Sequence, residues 1–314
     1  MARIWDLSEL PYLGERQHLN FRVGPECDDV IAVGGNLSPG LLLSAYQQGV
    51  FPWYNEGQDI YWWSPRQRFT LLPDRLHLPK SLIRHMRRSL YLGPAGEGRG
   101  QGQRQNAQGA QGTQGAEGAE GAEDLQAPQV PGANTYDLRL SLDEAFADVI
   151  NACSATPRPE QLKRDGSAAT WITPEMRYAY VHLHMRGYAH SVECWRREVH
   201  GGETLVGGLY GIGLGRCFFG ESMFSHAPDA SKIAFAGLAL FLFGKGFRLI
   251  DCQEETEHLR RFGAVSLPRD DFEKRLRECE PELDLRDRLK QRAFWMTCCE
   301  EFPDSPSLRK LLGR

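Results

Sequence analysis

Apolar positions are densest between Leu205 and Gln253. An apolar, β-like run passes through Arg216-Cys217-Phe218-Phe219-Gly220, and turn-forming residues follow at Ser225-His226-Ala227-Pro228-Asp229. From Ala230 to Phe243 the chain is apolar on nearly every face, the pattern of a buried helix, and Gly244 and Gly246 stop it. Phe247-Arg248-Leu249-Ile250 is a second short apolar strand ending in Asp251-Cys252-Gln253. Strand, helix, strand in this order predicts two parallel strands joined by a right-handed crossover. Parallel strands end at one edge of their sheet, with Glu221 closing the first and Asp251 and Gln253 the second. Three polar groups then converge where open α/β sheets place ligands.

The pattern elsewhere alternates between short strands and helices. Asp28 to Pro39 predicts a strand leading to a helix with Ser38 as cap and Pro39 in the first turn; the helix ends near Gly49. Val50 to Tyr54 and Ile60 to Arg66 follow, with Trp53, Trp62 and Trp63 clustered and prolines at 52 and 65 putting part of this stretch on loops, where a ring can line a pocket. Ser141 to Ile150 reads as a helix with a capping box, Ser141 with Glu144. A helix over 175–186 ends at Gly187, and Ser191 to Arg196 pairs with Thr204 to Tyr210 as a hairpin. Two helices, 257–262 and 268–278, come after Gln253, and the charged tail from Glu280 carries little pattern.

Composition narrows the picture. A chain of 314 residues, 41% hydrophobic, can bury one substantial core with a smaller companion domain. We expect an α/β fold, more fully an α+β mixed sheet: a small N-terminal domain over 1–75, a catalytic domain over 76–302, and a tail over 303–314. Residues 95–133 are Gly, Gln, Ala and Glu with few large apolar side chains, which predicts a disordered insert within one domain. The net charge of −4 excludes a globally basic nucleic-acid coat but leaves room for a local basic face. No apolar run is long enough for a bilayer span, and the charged start is unlike a signal peptide, so the expectation is a cytoplasmic protein without membrane contact. The eight cysteines form no C-x-x-C pair and read as small buried thiols, and His182 with His184, two apart on a helix, make no metal pair; no metal is expected. Gly211 to Gly215 has dinucleotide-loop spacing but no helix behind it. Arg84-His85-Met86-Arg87-Arg88 is the densest basic patch, either a solvated helix face or a phosphate contact.

Several stretches, taken together, carry a resemblance: Gly49-Val50-Phe51-Pro52-Trp53 with Trp62-Trp63-Ser64-Pro65; Thr170-Trp171-Ile172-Thr173; Gly220-Glu221-Ser222-Met223-Phe224-Ser225 with Ala230-Ser231-Lys232; and Leu249-Ile250-Asp251-Cys252-Gln253. His190-Ser191-Val192-Glu193, Leu205-Val206-Gly207-Gly208 and Gly263-Ala264 also fit. In their order and spacing the chain resembles the leucyl/phenylalanyl-tRNA–protein transferases along most of residues 28–275, apart from the insert. The resemblance implies a small N-terminal domain and a GNAT-like acyltransferase domain. It implies transfer of Leu, Phe or Met from aminoacyl-tRNA to proteins beginning with Arg or Lys, marking them for degradation through the N-degron pathway, by a monomer that needs no cofactor. It also implies an apolar aminoacyl pocket, with Trp53, Trp171 and Phe218 at lining positions and Leu209 and Leu238 nearby.

Such a pocket rejects polar side chains, whose hydrogen bonds go unmet, but separates similar apolar ones by only ~1–3 kcal/mol per methylene, so a mixed preference follows. The chemistry that the resemblance implies is ester aminolysis. An α-amino group has a pKa of about 7.7–8.0, so a useful neutral fraction exists near pH 7 and positioning supplies much of the acceleration. Asp251 and Gln253, at i and i+2, should face one side of their strand. On this reading Asp251 is expected to orient the amine or Gln253, Gln253 to hydrogen-bond the reacting groups, and Glu221 to suit the cationic side chain of the acceptor; the plainer alternative has Asp251 capping the next helix. Arg66, Arg68, Arg84, Arg87 and Arg88 are the candidates for gripping tRNA phosphates. Three rival functions stay open: a GNAT enzyme using acetyl-CoA, opposed by Pro228 and Asp229 where pyrophosphate would sit; a non-catalytic RNA-binding module, opposed by the modest charge and the three converging polar groups; and an aminoacyl-tRNA-dependent transferase with a cell-wall peptide acceptor.

Overall fold

A computed structural model describes residues 4–21, 23–24, 26–91, 137–156, 171–279 and 285–313. The insert expected at 95–133 lies outside the described residues. The fold is mixed α/β, with two sheets in an N-terminal and a C-terminal domain.

The small sheet has four strands in the order β1-β2-β4-β3: β1 (Trp5–Asp6), β2 (Val30–Val33), β3 (Phe51–Pro52) and β4 (Tyr61–Trp63). Helix α1 (Pro39–Gln47) connects β2 to β3 and starts at Ser38 with Pro39 in its first turn, as the pattern predicts. Ser38 Oγ does not cap its own helix; it accepts the Leu13 amide at 3.1 Å and so ties the N-terminal segment down. The chain passes to the large sheet between Trp63 and Gln67, ahead of residue 75. Across this junction the guanidinium of Arg269 donates to the carbonyls of Cys27 (2.9 Å) and Asp28 (2.8 Å), clamping the two parts together.

The large sheet has seven strands in the order β11-β5-β10-β9-β8-β7-β6: β5 (Gln67–Leu71), β6 (Leu138–Leu142), β7 (Ala189–Arg197), β8 (Glu203–Leu214), β9 (Cys217–Ser225), β10 (Leu249–Gln253) and β11 (Val265–Pro268). The β7–β8 hairpin is present, and Gly211 and Gly213 lie inside β8, making a strand of the apparent dinucleotide loop. Strands β9 and β10 are the parallel pair of this sheet, joined by α5 (Ala230–Gly244), which is buried along most of its length. Helix α5 can lie against β8 because Gly207 carries no side chain: a Cβ there would come 2.5 Å from that of Ala230.

Three expectations change. Ser141 is in β6 and its hydroxyl donates to the buried Glu193 carboxylate, so α3 (Phe146–Ala155) begins five residues later, after Asp143 turns the chain at φ 59°. Strand β11 precedes α7 (Arg269–Glu278) as a short edge strand on β5. The charged tail is structured: in α8 (Leu285–Glu301) and α9 (Pro306–Leu312), Trp295, Cys298, Leu308 and Leu312 enter the core. The Trp295 ring stacks on His190 at 3.7 Å and fills the space above Gly213, where a Cβ would come within 2.4 Å of it. Two helices complete the framework, α2 (Lys80–Ser89) and α4 (Pro174–Met185), the latter capped by Thr173 Oγ1 accepting the Met176 amide at 3.2 Å. A single turn, α6 (Glu257–Arg260), follows β10.

Candidate active site

Strands β9 and β10 pair only as far as Phe219 and Asp251. Strand β9 then continues along β8 to Ser225, so Glu221 is not at a strand end; it lies just beyond the point where the two parallel strands part. Strand β10 bends away because its register on β5 shifts between Asp251 and Gln253, with Gln253 at φ 60°. A cavity of about 400 Å³ opens in this splay. The bulge breaks the strand alternation expected of residues 251 and 253, and Asp251 to Glu254 all touch the cavity.

The apolar end of the cavity is built from four elements. Trp53 follows β3 of the small sheet, Trp171 precedes α4, Leu209 comes from β8 and Phe218 from β9. Trp53 is held in place by Trp63, whose indole Nε1 donates to the Trp53 carbonyl at 2.8 Å and whose ring lies 5.6 Å from its own. Leu238 is fully buried in the core behind the cavity and does not line it; Phe235, one turn earlier on α5, does. Because α5 is apolar all round, its periodicity carries no sign of which face meets the cavity.

The polar end is a network around Glu221. Its Oε1 accepts from Tyr46 Oη at 2.7 Å and Gln253 Nε2 at 3.0 Å, and its Oε2 accepts from Tyr180 Oη at 3.1 Å. The two tyrosine hydroxyls are also in contact with each other; with one proton each, they complete all three bonds only when the Glu221 carboxyl is protonated and itself donates one. Burial pushes the Glu221 carboxyl up to about 7, and these hydrogen bonds offset only part of that. Burial and the nearby carboxylate push both tyrosines well above their ordinary range, so they remain neutral donors. His258, also in the cavity wall, is pulled down to about 4 by burial and by Lys232 and Arg261, and its imidazole is neutral.

Asp251 is fully buried and receives the Arg68 guanidinium as a fork, Nε to Oδ1 at 2.9 Å and Nη2 to Oδ2 at 2.7 Å. Asp251 Oδ1 also accepts the Gln253 backbone amide at 2.9 Å. The Arg68 guanidinium lies over the rings of Phe51 and Phe272, 4.5 and 4.8 Å from their centroids. At 1% exposure Arg68 cannot reach a tRNA phosphate, which removes it from the basic candidates. Arg84, Arg87 and Arg88 are exposed on α2, and Arg66 is exposed and paired with Asp28 at 2.8 Å. At the start of α5, Asp229 takes the left-handed conformation and its carboxylate binds Lys232 Nζ (2.6 Å) and His85 (3.2 Å). A carboxylate therefore stands at this helix start, where its charge repels a phosphate, although it caps none of the helix N–H groups. Among the described residues, no group of three His, Cys, Asp or Glu could hold a metal ion, and no helix is long and apolar enough to cross a membrane.

Tyr46, Tyr180, Phe235, His258 and the partnership of Arg68 with Asp251 were not legible along the chain. Tyr46 and Tyr180 are 134 residues apart and each sits in an apolar helix pattern that reads as core.

An apolar chamber ending in neutral hydrogen-bond donors and a high-pKa carboxyl suits acyl transfer to an amine, and the comparisons with known proteins agree: the chain is an aminoacyltransferase. Residues 132–277 match the family model described as leucyl/phenylalanyl-tRNA protein transferase, and residues 35–66 match the N-terminal domain of the same family. The chain is similar to the leucyl/phenylalanyl-tRNA–protein transferases of Nitratidesulfovibrio vulgaris strain DP4 (44% identical over 245 residues, 78% of this chain and 80% of that protein) and of Myxococcus xanthus (44% over 264 residues, 83% and 88%). A third, from Neisseria meningitidis, is 39% identical over 251 residues, 80% of this chain and 82% of that protein. The chain belongs to the leucyl/phenylalanyl-tRNA–protein transferase family.

Proposed function

We propose that this protein moves Leu, Phe or Met from aminoacyl-tRNA to the α-amino group of proteins with N-terminal Arg or Lys, marking them for degradation in the N-degron pathway, and that it acts as a monomer in the cytoplasm. The observation that carries this is the two-ended cavity. Its apolar end, with Trp53, Trp171, Leu209, Phe218 and Phe235, presents chiefly ring and alkyl surface, which disfavours a polar side chain and suits Leu, Phe and Met. Its polar end places the Glu221 carboxyl and the Gln253 carboxamide 3.0 Å apart. A cationic acceptor side chain beside Glu221 draws that carboxyl into its charged form, so acceptor binding and ionisation reinforce each other.

In the transfer step the acceptor nitrogen attacks the ester carbon, the bond to the ribose oxygen breaks, and the amine proton leaves for that oxygen or for solvent. Gln253 positions the amine, since a carboxamide is barely basic. The parting of β9 and β10, with antiparallel neighbours on either side, supports a GNAT-like domain. The Asp229 carboxylate and Pro228 at the start of α5 oppose acetyl-CoA as its cofactor. Exposed Arg84, Arg87, Arg88 and Arg66 suit the phosphates of the donor tRNA.

The test is to incubate the protein with labelled Leu-tRNA and peptides that begin with Arg or Ala. Label on the Arg peptide alone supports the reading. Equal labelling of both, or label on a cell-wall peptide in their place, overturns it.

A further inference from the structure

Gln253 is a non-glycine residue at φ 60°, a conformation that persists only where its surroundings hold it. What holds it is its own backbone N–H donating to Asp251 Oδ1, two residues earlier, across the register shift of β10. Asp251 can serve in this way only if its carboxyl plane is set. The Arg68 fork sets it, because two parallel contacts from one rigid guanidinium fix both oxygens at once. Arg68 is itself held between the rings of Phe51 and Phe272. The chain of constraint therefore runs from two aromatic rings through Arg68 and Asp251 to the Gln253 backbone, and from the Gln253 carboxamide to Glu221. The amide nitrogen on Glu221 fixes which way the carbonyl oxygen of the same carboxamide faces.

We propose that Arg68 is a positioning residue of the transfer reaction: through Asp251 it holds the Gln253 backbone in its left-handed turn and so aims the Gln253 carboxamide. The role rests on reading this cavity as the place of aminoacyl transfer. Arg68→Lys keeps the charge and loses the fork.

The experiment is a double-mutant cycle of Arg68→Lys with Gln253→Ala, read as kcat and KM for transfer from Phe-tRNA to an Arg-started peptide, with hydrogen exchange at the Gln253 amide measured on the full chain. With Gln253 present, R68K should lower kcat tenfold or more while the KM for Phe-tRNA moves less than threefold. In the Q253A background the same change should lower kcat less than threefold. The Gln253 amide should exchange at least tenfold faster in R68K. Equal losses in the two backgrounds, or unchanged exchange at Gln253, would make Arg68 a support of the fold only and overturn the proposal. Should R68K not fold, Phe272→Leu loosens one side of the guanidinium sandwich and leaves the ion pair. The same cycle with Q253A then applies: a kcat loss that depends on Gln253 upholds the proposal, and equal losses overturn it. A wild-type protein that transfers nothing to the Arg peptide, yet loses Gln253 protection in R68K, sinks the transfer reading and keeps only the hold of Arg68, through Asp251, on the Gln253 turn.

Discussion

Glu221→Gln tests the electrostatics of the polar end directly. The substitution keeps the shape and the bonding: a Gln oxygen accepts from Tyr46 and Gln253, and its nitrogen donates to the Tyr180 hydroxyl, which turns its own proton to Tyr46. What it removes is the titration. In the folded protein the Glu221 carboxyl sits at about 7, against an ordinary value of 4.5. The native state thus binds this proton more tightly than the unfolded chain does. Its stabilising effect is fully present below pH 4.5 and is lost as pH rises through 7. The interval is worth roughly 3 kcal/mol at about 1.4 kcal/mol per pH unit. Denaturant unfolding of both proteins at several values between pH 4.5 and 8 should show wild type losing about that much relative to E221Q, with the difference levelling above pH 8. Glu193, also raised to about 7, is common to both proteins and cancels in the difference. A difference that stays flat across this range refutes the placement of Glu221 as a buried, high-pKa carboxyl. The variant should also lose its preference for cationic acceptors above pH 7, where wild type is charged.

Phe235→Ala enlarges the apolar end of the cavity and should shift transfer toward Phe over Leu, measured with mixed aminoacyl-tRNAs. Leu238→Ala, one turn on and away from the cavity, should cost about 2–5 kcal/mol of stability by unfolding and leave the Leu:Phe ratio unchanged. The double variant Arg84→Ala, Arg88→Ala should raise the KM for aminoacyl-tRNA and flatten its dependence on salt, while transfer in wild type weakens steeply as salt rises; an unchanged salt slope would remove α2 from the tRNA contact.

Much of the site is legible in the chain itself. Glu221, Asp251 and Gln253 are legible as neighbours because the strand, helix, strand pattern predicts a parallel pair, although they meet where β9 and β10 part and not at a common strand end. The hairpin at 189–214 and the helix at 174–185 are legible for the same reason: their signals, alternation and capping, are local. The tail after Glu280 is legible only in part. Trp295, Cys298 and Phe302 have helical spacing, but the charges between them hide it, and the His190 ring and bare Gly213 that Trp295 packs on are about 80–105 residues away in sequence.

What the tertiary structure decided is which polar group meets which. Arg68, 183 residues before Asp251, reads in sequence as one more surface cation; it is the internal partner of the site because β5 pairs with β10 and the two phenylalanine rings exclude water around the pair. Ser141 reads as a helix cap, but the buried Glu193 carboxylate claims its hydroxyl. Leu238 and Phe235 read alike on a helix that is apolar all round, and only the packing of α5 on the sheet separates core from cavity. Short-range periodicity and turn chemistry are written residue by residue, so the chain alone determines most of the elements and the parallel pair beside which their polar residues meet. Hydrogen-bond partners and the proton affinity they set depend on burial and on contacts between distant segments, and these exist only once the chain has folded.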